Sequence, residues 1–153
     1  MQKYNYFETE DGTMSEFDDY EHIIKVLLPI RKERLHKIER IEREQKKSLK
    51  KSQELKAETE EALEKKIFTY KEICRVFNDK NLGLQSYTKL ISSLDKEDDA
   101  KKTVLENANR VSKLQSDVEQ KQAKVLKTAF EKKMRLRDVE KIESLLDVIK
   151  ELS

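Results

Sequence analysis

Glycine and proline are almost missing from this chain, which has 2 Gly and 1 Pro among 153 residues, with a single Cys and no Trp. Two glycines cannot build a Gly-rich phosphate loop, and no G-x-x-x-x-G-K-[ST] run occurs. The lone cysteine, Cys74, has no intrachain disulfide partner, which fits a reducing compartment. No Cys/His pattern has metal-ligand spacing, and the two histidines, His22 and His36, read as solvated side chains. Long apolar runs are missing too. The best candidate, Ile23-Ile24-Lys25-Val26-Leu27-Leu28-Pro29-Ile30, holds a lysine and a proline and falls far short of the ~20 residues that cross a bilayer. The acidic, aromatic start differs from a secretory signal peptide, which opens on a basic segment. A cytosolic location is therefore expected.

What remains is charge and helix formers. Charged residues make up 42% of the chain and hydrophobic ones 36%. Little Gly and Pro with abundant Lys, Glu, Leu, Ala and Arg marks long continuous helix. So polar a chain could also be disordered, but from about residue 22 its apolar residues follow a seven-residue order. In the back half the ladder is Val104, Val111, Val118, Val125, Lys132, Val139 and Leu146. In the front half it is Leu28, Leu35, Glu42, Leu49, Lys56, Leu63, Tyr70 and Phe77. One plausible turn, Asn78-Asp79-Lys80-Asn81-Leu82-Gly83, separates them. The expected fold is all-α: two long helices in an antiparallel coiled-coil hairpin, with a flexible acidic N-terminal arm. The arm spans 1–21 and the hairpin 22–153, with helices at about 22–78 and 85–152 and a turn at about 79–84.

Details of that expectation matter below. The arm sets Glu8, Glu10, Asp11, Glu16, Asp18, Asp19 and Glu21 against a lone Lys3, with Tyr4, Tyr6, Phe7, Phe17 and Tyr20 interleaved. Met14 is an alternative start of translation. Pro29 falls inside the first helix, so either the helix proper starts near Leu28 or residues 19–28 form a separate turn or a kinked extension; one kinked helix is the expected form. The first seam is polar at Glu42, Gln45, Ser52 and Lys56, and regains apolar spacing at Leu63, Ile67, Tyr70, Cys74 and Phe77. It therefore reads as weak in the middle and strong toward the turn. In the second helix the positions assigned to accompany the valine ladder are Lys101, Ala108, Gln115, Gln122, Ala129, Leu136 and Glu143. Polar seam residues lower stability but help fix register.

Net charge is only +2, yet the cations are segregated. They crowd Lys25–Lys56 on the first helix and Lys121–Lys141 on the second. Folding the chain about residue 82 sets Arg31 opposite the region of Lys133, and Arg43 opposite that of Lys121. The half near the termini then becomes a basic shaft, suited to an acidic partner surface. Solvated helix faces are commonly charged, so each single cation has a bland reading as well. Nucleic acid is not an expected partner, because acids are interspersed and basic-zipper spacing is missing. Membrane insertion is not expected either. A hairpin rod has no enclosed cleft to perturb its carboxylates, so no enzyme and no cofactor are read here.

Three features together resemble one family. The stretch Leu27-Leu28-Pro29-Ile30-Arg31-Lys32-Glu33-Arg34-Leu35, continuing into Ile38-Glu39-Arg40, is similar to the opening of stalk proteins from bacterial type III secretion systems. The run Gly83-Leu84-Gln85-Ser86-Tyr87-Thr88-Lys89-Leu90-Ile91-Ser92-Ser93-Leu94 is similar to the segment after the turn in the flagellar export member. Length and hairpin symmetry agree. The resemblance to this FliJ/YscO/SctO family covers about residues 24–152. It implies a monomeric central stalk whose terminal half enters a hexameric secretion ATPase and promotes its assembly and activity. The turn half would meet the cytosolic ring of the export gate, and some members bind export chaperones. On that resemblance, Arg31, Lys32, Arg34 and Arg40 with Lys132, Lys133, Arg135 and Arg137 are the ring-binding candidates. Phe68, Tyr70, Phe77, Tyr87 and Leu90 are the gate-binding candidates. The long acidic arm and Pro29 depart from the family pattern. Two rival readings come from other classes: a self-associating scaffold, and an adaptor that pairs its helices with partner helices.

Overall fold

The computed structural model describes residues 12–80 and 87–152. The fold is an all-α helical hairpin. Helix α1 spans Gly12–Lys80 (69 residues) and α2 spans Tyr87–Leu152 (66 residues). No helix is long and apolar enough to cross a membrane among the described residues.

Helix α1 starts ten residues earlier than the sequence reading placed it. Residues 12–21, expected to belong to a flexible arm, are helical, while 1–11 lie outside the described residues. Two local contacts favour helix here. The Tyr20 hydroxyl donates to Glu16 Oε1 at 3.2 Å, and Lys25 Nζ pairs with Glu21 at 3.1 Å, both at i,i+4 spacing. At the other end Asp79 and Lys80, expected in the turn, are still helical, and 81–86 lie outside the described residues. Pro29 sits inside α1, exposed, and the helix runs on through it. Its ring removes one backbone donor, leaving the Lys25 carbonyl without its usual i+4 partner.

The fold divides into two compact units, Met1–Lys46 with Lys124–Ser153 and Lys47–Ala123. In the first unit α1 and α2 run antiparallel. Arg31 Nη1 donates to the Asp138 carbonyl at 3.0 Å, and Lys132 Nζ meets Glu42 Oε1 at 3.0 Å. Arg31 thus faces Asp138, not Lys133. The helices turn back later in the sequence than residue 82, because α1 continues to Lys80 and α2 begins only at Tyr87. The core of this unit is Ile24, Ile142 and Ile149, with Leu27, Leu28 and Leu146 packed against it. In the second unit Ser52 pairs with Asp117 and Cys74 with Glu97, again antiparallel. Val118 is its buried hydrophobic residue.

Two seam expectations need correction. On α2 the valine ladder is inward, but of the seven positions assigned to accompany it four, Lys101, Gln122, Leu136 and Glu143, are exposed, while Ala108, Gln115 and Ala129 are half-buried. Three residues after six of the seven ladder positions stand inward companions, Asn107, Leu114, Lys121, Thr128, Ile142 and Ile149; after Lys132 the place falls to the exposed Arg135. Alternating steps of three and four residues hold one face toward the partner, and both phases satisfy that rule. Across the helix pair, the apolar Ile142 and Ile149 select the phase actually used. The second correction concerns strength. The apolar cluster lies near the chain termini, in the first unit, whereas Tyr70 and Phe77 of the second unit are only half-buried.

Candidate partner-binding surfaces

The seam holds much of the polar chemistry. Glu42 is buried (6% exposed) and accepts hydrogen bonds from Lys132 at 3.0 Å and Lys46 at 3.5 Å. The Lys132 hydrogen bond is the main reason its carboxyl lies below the usual value. Desolvation opposes that shift, and the charges of Lys132 and Lys46 add to it. In the second unit Ser52 Oγ donates to Asp117 Oδ2 at 3.0 Å and accepts from Lys121 Nζ at 2.5 Å. Lys121 was expected to lie opposite Arg43; its recorded cross-helix partner is Ser52. Gln45 Oε1 is buried with no hydrogen-bond partner among the described residues.

The eight basic candidates separate into two kinds, all within the first unit. Arg31 and Lys132 are half-buried seam residues bound across the helix pair. Lys32 meets Glu143 across the pair at 3.8 Å, Arg40 meets Glu33 at 3.8 Å, and Arg135 meets Asp138 at 3.8 Å. Arg34, Lys133 and Arg137 are exposed and make no ion pair among the described residues. Only these three have their full charge available to a partner, although exposed pairs such as Lys32–Glu143 bind weakly and open readily.

The five apolar and aromatic candidates lie in the second unit and separate the same way. Tyr70, Phe77 and Leu90 are half-buried on the seam. The Tyr70 hydroxyl is held above its ordinary pKa, first by its hydrogen bond to Cys74 and the charge there, then by desolvation and by Glu97 and Asp98. Phe68 (66%) and Tyr87 (77%) are largely exposed. Phe68 also lines a groove of about 360 Å³ with Ile73, Val76 and Phe77.

Sequence reasoning missed two apolar surfaces of the first unit. Leu126, Phe130 and Met134 form an exposed i,i+4 row on α2. A groove of about 460 Å³ runs between Tyr20, Ile23 and Leu27 of α1 and Leu145, Val148 and Leu152 of α2. The signal was present as a second row of apolar residues at steps of three and four, offset from the ladder. It went unread because the ladder alone stood for the apolar face of each helix, and Tyr20 fell in the expected arm. Among the described residues no cluster of His, Cys, Asp and Glu could hold a metal ion.

No family model, curated protein or solved structure matches this chain.

Proposed function

We propose that the chain is a non-enzymatic central stalk of a bacterial type III secretion system. In this reading it enters a hexameric export ATPase in the cytoplasm, promotes ring assembly and activity, and couples the ring to the export gate. Binding of export chaperones belongs to the same proposal. One observation carries it: the particular cations and aromatics the reading uses fall on different units, although each unit also carries the other kind, Phe130 in the first and Lys50, Lys51, Arg110 and Lys113 in the second. Arg34, Lys133 and Arg137 stand free of the seam in the unit that contains both terminal segments. Phe68 and Tyr87 stand exposed in the other. Basic side chains suit an acidic ring lining, and exposed aromatics suit an anchor in a partner's pocket. Arg31 and Lys132 serve the seam in this reading, so the ring contact falls to the three free cations.

A single hairpin inside a six-fold ring cannot touch six subunits alike. It therefore biases which subunit interface closes around nucleotide, without doing chemistry itself. In this reading one hairpin pairs its own polar seam residues, Glu42–Lys132 and Ser52–Asp117, where a self-associating scaffold would pair such residues between chains.

The test is the absolute mass of the chain in solution, with and without a type III export ATPase and ATP. A monomer of 18.2 kDa that joins the ATPase hexamer at one copy per ring is expected. A stable dimer indifferent to the ATPase overturns the stalk and favours the scaffold.

A further inference from the structure

The first unit has two unlike lateral faces. One carries Lys32 and Glu143, paired across the helices, with His22, Pro29 and His36 beside them. The opposite face carries the groove lined by Tyr20, Ile23, Leu27, Leu145, Val148 and Leu152, floored by the buried isoleucine cluster. Ile30 extends this face along α1 and is also exposed. The one polar atom on the wall, the Tyr20 hydroxyl, is turned to Glu16 of its own helix, so the ring can line the groove as an apolar surface. The hydrogen bond and charge of Glu16 also hold that phenol above its ordinary pKa, so it stays neutral.

The size of the face selects the occupant. Its exposed apolar side chains are Tyr20, Ile23, Ile30, Leu145, Val148 and Leu152, against the roughly 20–30 residues a side of a standard interface between folded proteins. A stable interface between two folded proteins takes about 800 Å² from each side, so a second hairpin would be held too weakly by this groove. From Tyr20 to Leu27 the groove runs about 10 Å along α1, and Ile30 carries the face on to about 15 Å, which accommodates two to three turns of one helix. Such a helix would anchor apolar residues at i, i+3 or i+4, and i+7.

The charges at its two ends give that helix a direction. The end near the termini is acidic, with Asp19 on α1 and Glu151 on α2, neither in an ion pair among the described residues. The inner end is basic on balance: Arg34 and Lys37 on α1 and Lys141 on α2 are likewise unpaired there, against one unpaired acid, Glu140, beside Lys141. We infer that this face binds one amphipathic helix of a partner protein, with its acidic N-terminal end over Arg34 and Lys141 and its basic C-terminal end over Asp19 and Glu151. Acidic first turns and basic last turns are also what a helix macrodipole favours, so the partner is an ordinary stable helix. The inference goes beyond the stalk reading and needs no ATPase or gate.

The probe is a designed, fluorescently labelled 18-residue amphipathic peptide with Leu at i, i+3, i+4 and i+7, Glu in its first turn and Lys in its last. A control peptide exchanges the Glu and Lys residues. Fluorescence anisotropy against the full chain should show the Glu-first peptide binding about fivefold to tenfold tighter than the control. Leu145→Glu with Val148→Glu should cost the Glu-first peptide about tenfold or more, with helix content by circular dichroism unchanged because both side chains are half exposed. Arg34→Glu with Lys141→Glu, which leaves the groove intact, should abolish or reverse the preference between peptides. Failure of both peptides to bind, equal binding of the two, or indifference to Leu145→Glu with Val148→Glu would overturn the inference. So would sedimentation as a dimer that Leu145→Glu with Val148→Glu dissociates, since a second copy would then cover the face.

Discussion

Glu42 and Lys132 meet at 3.0 Å, each on the seven-residue ladder of its own helix, and the carboxylate is the deeper of the two. A charge pair therefore stands where an apolar pair would pack. Two charges taken out of water recover their desolvation cost only through each other and through Lys46, the second cation on Glu42. The pair is best understood as a register device. Sliding one helix by a heptad would leave the buried carboxylate opposite Val125 or Val139.

The first prediction concerns pH. The native carboxyl of Glu42 lies below the ordinary value of 4.5, chiefly through the Lys132 hydrogen bond. A group depressed on folding contributes stability that is fully present above its unfolded pKa. That contribution fades as pH falls from the unfolded value through the native one. Thermal unfolding of the wild type should therefore weaken on acidification below about pH 4.5 more than that of Glu42→Gln. Parallel pH dependence in the two proteins would remove Glu42 from the acid response.

The second prediction separates stability from specificity. Lys132→Leu alone strips Glu42 of its shorter partner and should lower the melting temperature. Glu42→Leu with Lys132→Leu should recover the loss and match or slightly exceed wild type, because the buried carboxylate is gone while Lys132, 39% exposed, was only partly desolvated. The double variant should also populate more than one register, seen as added peaks in disulfide trapping between engineered cysteine pairs. A double variant that is both weaker and single-register would contradict this role.

How far the sequence reveals this molecule depends on the residue. The valine ladder is legible because Val104, Val111, Val118, Val125 and Val139 repeat at seven and nothing else explains them. Its companions were misread because Ala108, Ala129 and Leu136 make an apolar row as plausible as Leu114, Ile142 and Ile149. Only the opposite helix decides between the rows. Cation clustering is legible from composition along the chain, but the split between seam cations such as Arg31 and free ones such as Arg34 depends on cross-helix contacts. The groove was hidden because its two walls, Ile23 and Leu27 on one helix and Leu145, Val148 and Leu152 on the other, meet only across the helix pair; the boundary error removed Tyr20 alone from the row.

The third prediction weighs the apolar seam. Ile142 is buried at 5% exposed within the isoleucine cluster. Ile142→Ala should cost about 2–5 kcal/mol in urea unfolding, from lost burial and the cavity left behind. Gln45→Leu should act in the opposite direction by about 1 kcal/mol, since it removes a buried carbonyl that has no partner among the described residues. If Ile142→Ala proves neutral, the isoleucine cluster is not the core of its unit.

The last prediction divides the proposed stalk between its two ends. Arg34→Glu with Arg137→Glu changes only exposed cations without ion pairs among the described residues, so helix content and melting temperature should hold. ATPase stimulation should fall about tenfold or more if these charges meet an acidic ring. Arg31→Glu is a poor substitute, because it also breaks the seam contact to the Asp138 carbonyl. Phe68→Ala with Tyr87→Ala should do the reverse, cutting affinity for the export gate about tenfold while sparing stimulation. The two side chains are 66% and 77% exposed, so their loss leaves packing nearly untouched. If either double variant lost both activities with its helix content intact, the two surfaces would not be separable, and the assignment of one unit to the ring and the other to the gate would fall.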